Sequence, residues 1–435
     1  MYSQNTHARG RAAFHRAGHA LLALTLAATA ACNSLLNVDN PGNVPADALS
    51  DPSLMATLEI AALQQAQCAI ANYAATAGML SGEYWSANGF VNNHIWEWRG
   101  IVEIKGAPGS CSSSRNDTFM GFYTPLQQAR FQTEDAFTRL SAFTDAQVPN
   151  RQRYMVEMRA YGGYAILLLA EGMCDMTIDN GPKMAKADVL ALAEKEFTEA
   201  ITLVNAATDA AFTAADRTSL KNMATAGRAR TRLDAGNLAG AAADAALIPA
   251  GYVRVAEFSE TTPSRENRIY NLTVRNDFLS TAPAYQNLTL ENGAPDPRVK
   301  VTDMKRKGSD NVTPIFQQQK FQGSGAVSLP IASYAEAQLI LAEATGGQAG
   351  LDAINRVRAL SSIPPLVLQP GQDFGTVVLE ERRRQLFSEG QRYGDMLRKG
   401  LPFSSGVNRK GQTISSLTCV PLPDVETLNN PNFKG

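Results

Sequence analysis

Between Tyr84 and Arg99 the chain gathers residues that could hold a polyhydroxylated ligand: Tyr84, Trp85, Asn88, Asn92, Trp96, Trp98 and Arg99, with Asn93 beside them. The C–H faces of a pyranose pack on indole and phenol rings, and its hydroxyls demand planar donors and acceptors. All three tryptophans of the chain lie in this stretch, Gly82 to Gly100. Trp96 and Trp98 alternate with Ile95, Glu97 and Arg99, which predicts a strand carrying both indoles on one face. The plainer use of the same aromatics is to roof a core. Tyr270 and Tyr285 are second-rank candidates.

Catalytic chemistry is harder to assemble. Of the four histidines, three fall in the first 31 residues, leaving His94. Ser-His-Asp or Cys-His nucleophiles could form only around it, and histidine-based metal sites are nearly excluded. Gly323-Ser-Gly325 lacks the helix and lysine that a phosphate loop needs. Glu380 and Glu381 are adjacent, so on a helix they point about 100° apart, and each has an arginine nearby. The expectation is no catalytic residue, no metal and no cofactor. A net charge of -1 without a basic face also argues against nucleic acid.

The elements that must position the aromatic stretch begin after an export signal. Arg9, Arg11 and Arg16 precede the short apolar run Ala20 to Ala28, and Thr29-Ala-Ala-Cys32 follows. This order predicts a signal peptide over 1–31, too short to span a bilayer, with Cys32 as a lipidated N-terminus. Cleavage without lipid is the alternative. Residues 32–48, rich in Pro, Gly and Asn, read as a tether.

In an oxidising compartment the remaining cysteines, Cys68, Cys111, Cys174 and Cys419, allow three disulfide pairings. Sequence proximity favours Cys68 with Cys111, stapling the aromatic stretch at its base, and Cys174 with Cys419, fastening the tail.

With 435 residues, 44% of them hydrophobic, the chain can build large cores. Asp51-Pro52-Ser53 opens an alanine-rich helix to about Leu80, and helical periodicity returns from about Thr118 to Leu247. Paired helical words recur at Ala160–Gly172 with Leu190–Ala207, at Ala226–Pro249 around Gly236-Asn237, and at 335–360 around Gly346-Gly347. Small residues where helices cross, a glycine turn and a closing proline are what a tetratricopeptide-like hairpin needs. Val377 to Arg398 reads as one further helix with Glu380/Arg384, Glu389/Arg392 and Asp395/Arg398 ion pairs. Residues 250–330 interrupt the helices, with strands expected at Tyr252–Val255 and Ile269–Val274. The expected fold is therefore all-α: a single domain over 49–435, a helical-repeat scaffold with an aromatic loop segment (82–115) and a non-helical insertion (250–330).

The words "AEAQLILAEA", "INRVRAL" and "LEERRRQLFSEGQRYGDMLRKG" resemble the C-terminal signature of the RagB/SusD family, and "CVPLPDVETLNNPN" resembles the family's close. Gln391 and Gly394 stand where the family usually has His and an aromatic residue. The resemblance implies a SusD-like outer-membrane lipoprotein, exposed at the cell surface, that captures a nutrient, most often a glycan, for a SusC-like TonB-dependent transporter. It implies a ligand site built from loops whose residues vary with the ligand. The competing expectations are a tetratricopeptide-like adaptor that binds protein alone, and a hydrolase.

Overall fold

The computed structural model describes residues 48–100, 109–111 and 120–433. The expected signal, Cys32 and all but the end of the tether lie outside the described residues. So do 101–108 and 112–119 of the aromatic loop segment. Residues 1–51 and 52–435 form two units. Of the first, only the end is described, with a 3-10 turn at Ala48–Ser50.

The second unit opens with α1 (Met55–Leu80), entered through a 3-10 turn at Pro52–Leu54. Its C-terminal half is buried on every side, as its alanine-rich, charge-free sequence demands. After α2 (Val91–Glu97) come α3 (Tyr123–Ser141), which packs on α1, then α4 (Arg151–Gly172), α5 (Lys186–Ala206), α6 (Ala214–Asp234) and α7 (Leu238–Ala245), each from α4 onwards packed on the one before it. The expected small residues explain how they approach. Phe197 of α5 is fully buried against Gly163 of α4 and Gly227 of α6, where an added Cβ would stand 2.8 Å and 2.4 Å from its ring. One aromatic thus locks three helices, and its burial contributes roughly 1.5–3 kcal/mol.

The Gly236-Asn237 turn joins α6 to α7, and the Asn237 side chain accepts the Gly240 N–H at 3.0 Å, capping α7. The third expected hairpin is α8 (Tyr334–Thr345) with α9 (Gly347–Leu360), and α8 packs on α6 and α7. The all-α repeat scaffold is the observed architecture.

The single helix expected over Val377–Arg398 is two: α10 (Phe374–Gln385) and α11 (Gln391–Lys399). Ser388 (φ 65°) and Gly390 (φ 79°) break it in the left-handed region. A Cβ on Gly390 would stand 2.7 Å from Ala74 Cα, so this loop presses onto the backbone of α1. Glu380/Arg384 and Asp395/Arg398 pair at 2.6 Å and 2.8 Å. The break sends Glu389 instead to Lys320, at 2.6 Å.

Among the described residues three two-stranded antiparallel ribbons decorate the helices: β1 (Tyr84–Ser86) with β3 (Leu279–Thr281), β2 (Val253–Ala256) with β6 (Leu329–Ser333), and β4 (Val301–Lys307) with β5 (Pro314–Gln318). The strand expected at Ile269–Val274 does not form. Asn267 accepts the Ile269 N–H at 2.8 Å and starts a helical turn, Arg268–Tyr270, that widens into a π-type turn at Asn271–Arg275. Ile269 and Leu272, three apart, are both fully buried, a helical rather than a strand spacing.

Both favoured disulfides are present, Cys68–Cys111 and Cys174–Cys419. The second ties the end of α4 to the tail. Beside it Cys174 donates its N–H to Val420 O at 2.9 Å, and Val420 donates to Gly172 O at 3.0 Å.

Candidate functional site

Where α1 ends, Gly82 (φ 75°) turns the chain into β1. The strand's two-residue period then divides its side chains. Tyr84 points inward and is fully buried, its hydroxyl bonded to Ser388 Oγ and its ring 6.0 Å from that of Phe387. Trp85 points outward, half-buried, into a cleft of about 440 Å³. Opposite β1 stand Ala282, Pro283 and Ala284, just past β3, and Ser404, Val407, Asn408, Arg409 and Ile414 of the tail. The cleft is thus a meeting of three chain segments distant in sequence. It is mainly apolar with a few polar groups, the composition typical of ligand sites.

Trp85 is held by a cation. The Arg409 guanidinium lies 4.4 Å from the centroid of its ring. The rest of Arg409 is fixed in turn: Nε donates to Thr313 Oγ1 at 2.7 Å, Nη2 donates to the Ser86 carbonyl, and both terminal nitrogens pair with Glu97. Glu97 also accepts the Ser86 N–H at 2.8 Å. A cation over an indole face adds roughly 0.5–2 kcal/mol, rising as the pair is desolvated. The result is an aromatic ring lining the cleft with one face held by a fixed cation that lines the same cleft.

Arg99 positions the far wall. It adopts a left-handed backbone (φ 55°) and is buried. Its side chain donates to the carbonyls of Leu417 (2.7 Å), Ser404 (2.6 Å) and Ser415 (2.7 Å) and to Ser404 Oγ (3.2 Å). Ser415 donates its N–H to Trp98 O at 2.8 Å. Arg99 and Trp98 therefore clamp the tail loop that carries Arg409. Burial lowers the Arg99 pKa.

Of the other expected residues, Trp96 is the clearest correction. Val91–Glu97 is a helix, not a strand, so Ile95 and Trp96 are both buried although adjacent. A strand with one wet face cannot bury neighbours, whereas a short helix wedged into the core can. Trp96, fully buried, stands 6.3 Å from Phe122 and does not reach the cleft. Trp98 packs against the same core. Asn88 is fully buried, its amide donating to Phe278 O at 3.0 Å and accepting the Phe90 N–H at 2.8 Å. Asn93 is fully buried, and Asn92 is half-buried on α2 away from the cleft.

Tyr285 is also core, stacked on Phe387 at 5.0 Å, and Tyr270 is half-buried against Arg275. The seven expected residues are thus divided. Trp85 faces the cleft, Tyr84 backs it, Arg99 builds it, and Asn88, Asn92, Trp96 and Trp98 lie elsewhere. Sequence reasoning missed Arg409, Asn408 and Ile414, which carry no local signal beyond the Lys410-Gly411 turn.

Residues 203–427 match the family model described as the SusD family, slightly over half of the chain. The chain belongs to the SusD family. No curated protein matches its sequence. Among solved structures, this SusD-family chain is similar to a laminarin-binding SusD-like protein (16% identity, TM-score 0.60, covering 87% of this chain and 98% of that one). It is also similar to a SusD superfamily protein from Bacteroides fragilis (16%, TM-score 0.61, 87% and 99%). A third is a SusD-like carbohydrate binding protein from Bacteroides vulgatus ATCC 8482 (14%, TM-score 0.57, 80% and 83%). At such low identity these likenesses establish a shared fold. Among the described residues no helix is long and apolar enough to cross a membrane.

Proposed function

We propose that this SusD-family chain is a surface-exposed outer-membrane lipoprotein, anchored through Cys32, that binds a glycan on Trp85 and passes it to a SusC-like TonB-dependent transporter. The observation that carries the ligand part is the Trp85 ring, held by Arg409 at 4.4 Å and lining a 440 Å³ cleft. An indole fixed at a cleft wall suits the C–H face of a sugar, and Ser404 and Asn408 line the same cleft for hydroxyls. Laminarin and carbohydrate binding by two proteins of the same fold support the ligand class. Family membership and the lipobox-like run before Cys32 support the anchor, and family membership supports the transporter.

The reading is of capture without turnover. Glycoside hydrolysis generally uses two carboxyl groups flanking the bond, and among the described residues lining the cleft the carboxylate is Glu97, already paired with Arg409. Glu380 and Glu381 hold arginines elsewhere: Arg383 and Arg384 on one, Arg298 and Arg358 on the other. Calorimetric titration with a panel of oligosaccharides tests ligand capture. Pull-down from detergent-solubilised outer membranes, with mass spectrometry of what co-purifies, tests the transporter, and recovery without any TonB-dependent protein would count against it.

A further inference from the structure

Resting on the glycan reading of the same cleft, we infer that its ligands are uncharged oligosaccharides and that the Glu97–Arg409 pair is what excludes acidic ones. Among the described residues the charged ones lining the cleft are Glu97 and Arg409, and they neutralise each other, with Nη2 of Arg409 3.1 Å from Glu97 Oε2. Arg409 gives four of its five N–H groups to Thr313, Ser86 and Glu97, and its charge is met by Glu97, so the carboxylate of a uronic acid or a sulfate ester finds a single Nη1 N–H there and no uncompensated charge. The neighbouring cations are matched too. Lys410 pairs with Asp310 at 2.8 Å and donates to Asn88 O at 2.7 Å, and Arg383, which donates to Ala284 O beside the cleft, pairs with Glu380 at 2.6 Å. Arg99 has no carboxylate, but it is 2% exposed and donates to three carbonyls behind Ser404.

An anionic sugar entering here would lose hydration, meet among the described residues lining the cleft no cation without a carboxylate partner, and approach the carboxylate of Glu97. Hydroxyls meet no such penalty, because they can share the remaining lone pairs and amide groups. Discrimination of this kind comes from the unfavourable contact offered to the wrong ligand as much as from attraction to the right one.

The test titrates the protein with neutral probes (laminarihexaose, maltohexaose, mannohexaose, xylohexaose) and acidic probes (tetragalacturonate, tetramannuronate, a chondroitin sulfate tetrasaccharide) at low salt. Wild type, Trp85→Ala and Glu97→Gln are compared. The expected result is Trp85-dependent binding of at least one neutral probe and at least about tenfold weaker binding of every acidic one. Glu97→Gln, which still offers an oxygen to the Ser86 N–H, should improve binding of an acidic probe by about tenfold in a salt-sensitive way.

Trp85-dependent binding of an acidic probe to wild type, as tight as any neutral one, would overturn the inference and leave glycan capture standing. Absence of Trp85-dependent binding across both sets would overturn the glycan reading and the inference together. The wild-type comparison decides the matter even where Glu97→Gln does not fold.

Discussion

Arg409 and Trp85 lie 324 positions apart in the chain (409 − 85), yet the guanidinium of one stands 4.4 Å from the ring centroid of the other. Arg409 is anchored to Glu97, Ser86 and Thr313, so the platform and the tail loop are fixed by one side chain. Arg409→Met strips buried Glu97 of its partner, so it should lower the melting temperature and, in the folded variant, weaken glycan binding about 3- to 30-fold, the span of a cation–π contact worth roughly 0.5–2 kcal/mol. Arg409→Lys should recover little, since a lysine cannot stack and hold Glu97 at once. Titration calorimetry on the two variants checks this.

Trp96 and Trp85 should respond oppositely to alanine. Trp96 is fully buried beside Phe122, so Trp96→Ala leaves a cavity and destabilises by about 3–5 kcal/mol. Trp85→Ala removes a half-buried ring and should alter the denaturation midpoint little. Guanidinium unfolding curves of both variants measure it, and equal losses would show that Trp85 is a core residue.

Glu59 of α1 and Glu157 of α4 form a buried carboxyl pair, with Arg153 and Arg254 3.6 Å and 3.5 Å from Glu157. Burial first, and then the charge of Glu157, pushes the Glu59 pKa up to about 8. The folded chain therefore keeps a proton that the unfolded chain releases above about pH 4.5. Its contribution is fully present below that value and is lost as pH rises towards 8. Relative to wild type, Glu59→Gln should gain on the order of 2 kcal/mol between pH 5 and pH 8. Thermal melts at both pH values test this. Glu83, Asp234 and Glu336 are raised by burial as well, so the difference between variant and wild type is the quantity to read.

The Cys174–Cys419 bridge holds the tail loop near its end, two residues beyond Leu417, whose carbonyl Arg99 binds. Cys174→Ala with Cys419→Ala should destabilise by about 2–5 kcal/mol and weaken glycan binding. Unfolding and binding measured on the same variant should show both losses.

Much of the scaffold was legible because it follows from local spacing. The Gly236-Asn237 and Gly346-Gly347 turns, the apolar periods around them and the small residues facing Phe197 are all properties of short windows. The break at Ser388–Gly390 was not, since Glu380 to Arg398 keeps a helical pattern of charges and the groups that hold the turn, Ala74 against Gly390, Glu83 and Tyr84 on Ser388 and Lys320 on the Gln385 and Phe387 carbonyls, are all distant in sequence. The site was half legible. The aromatic density of Gly82–Gly100 pointed to the right ribbon and to Trp85. Alternation at Ile95–Arg99 then misled, because five residues fit a strand and a helix equally well. Arg409 was invisible, since nothing near it marks the residue as the partner of an indole far away in sequence.

The most direct measurement is titration of the purified, lipid-free chain and of Trp85→Ala with the neutral oligosaccharide panel, with circular dichroism showing that both are folded. The account predicts measurable binding of at least one oligosaccharide to wild type and a loss of tenfold or more in Trp85→Ala. Equal affinity of the two folded proteins for every glycan that binds would contradict it.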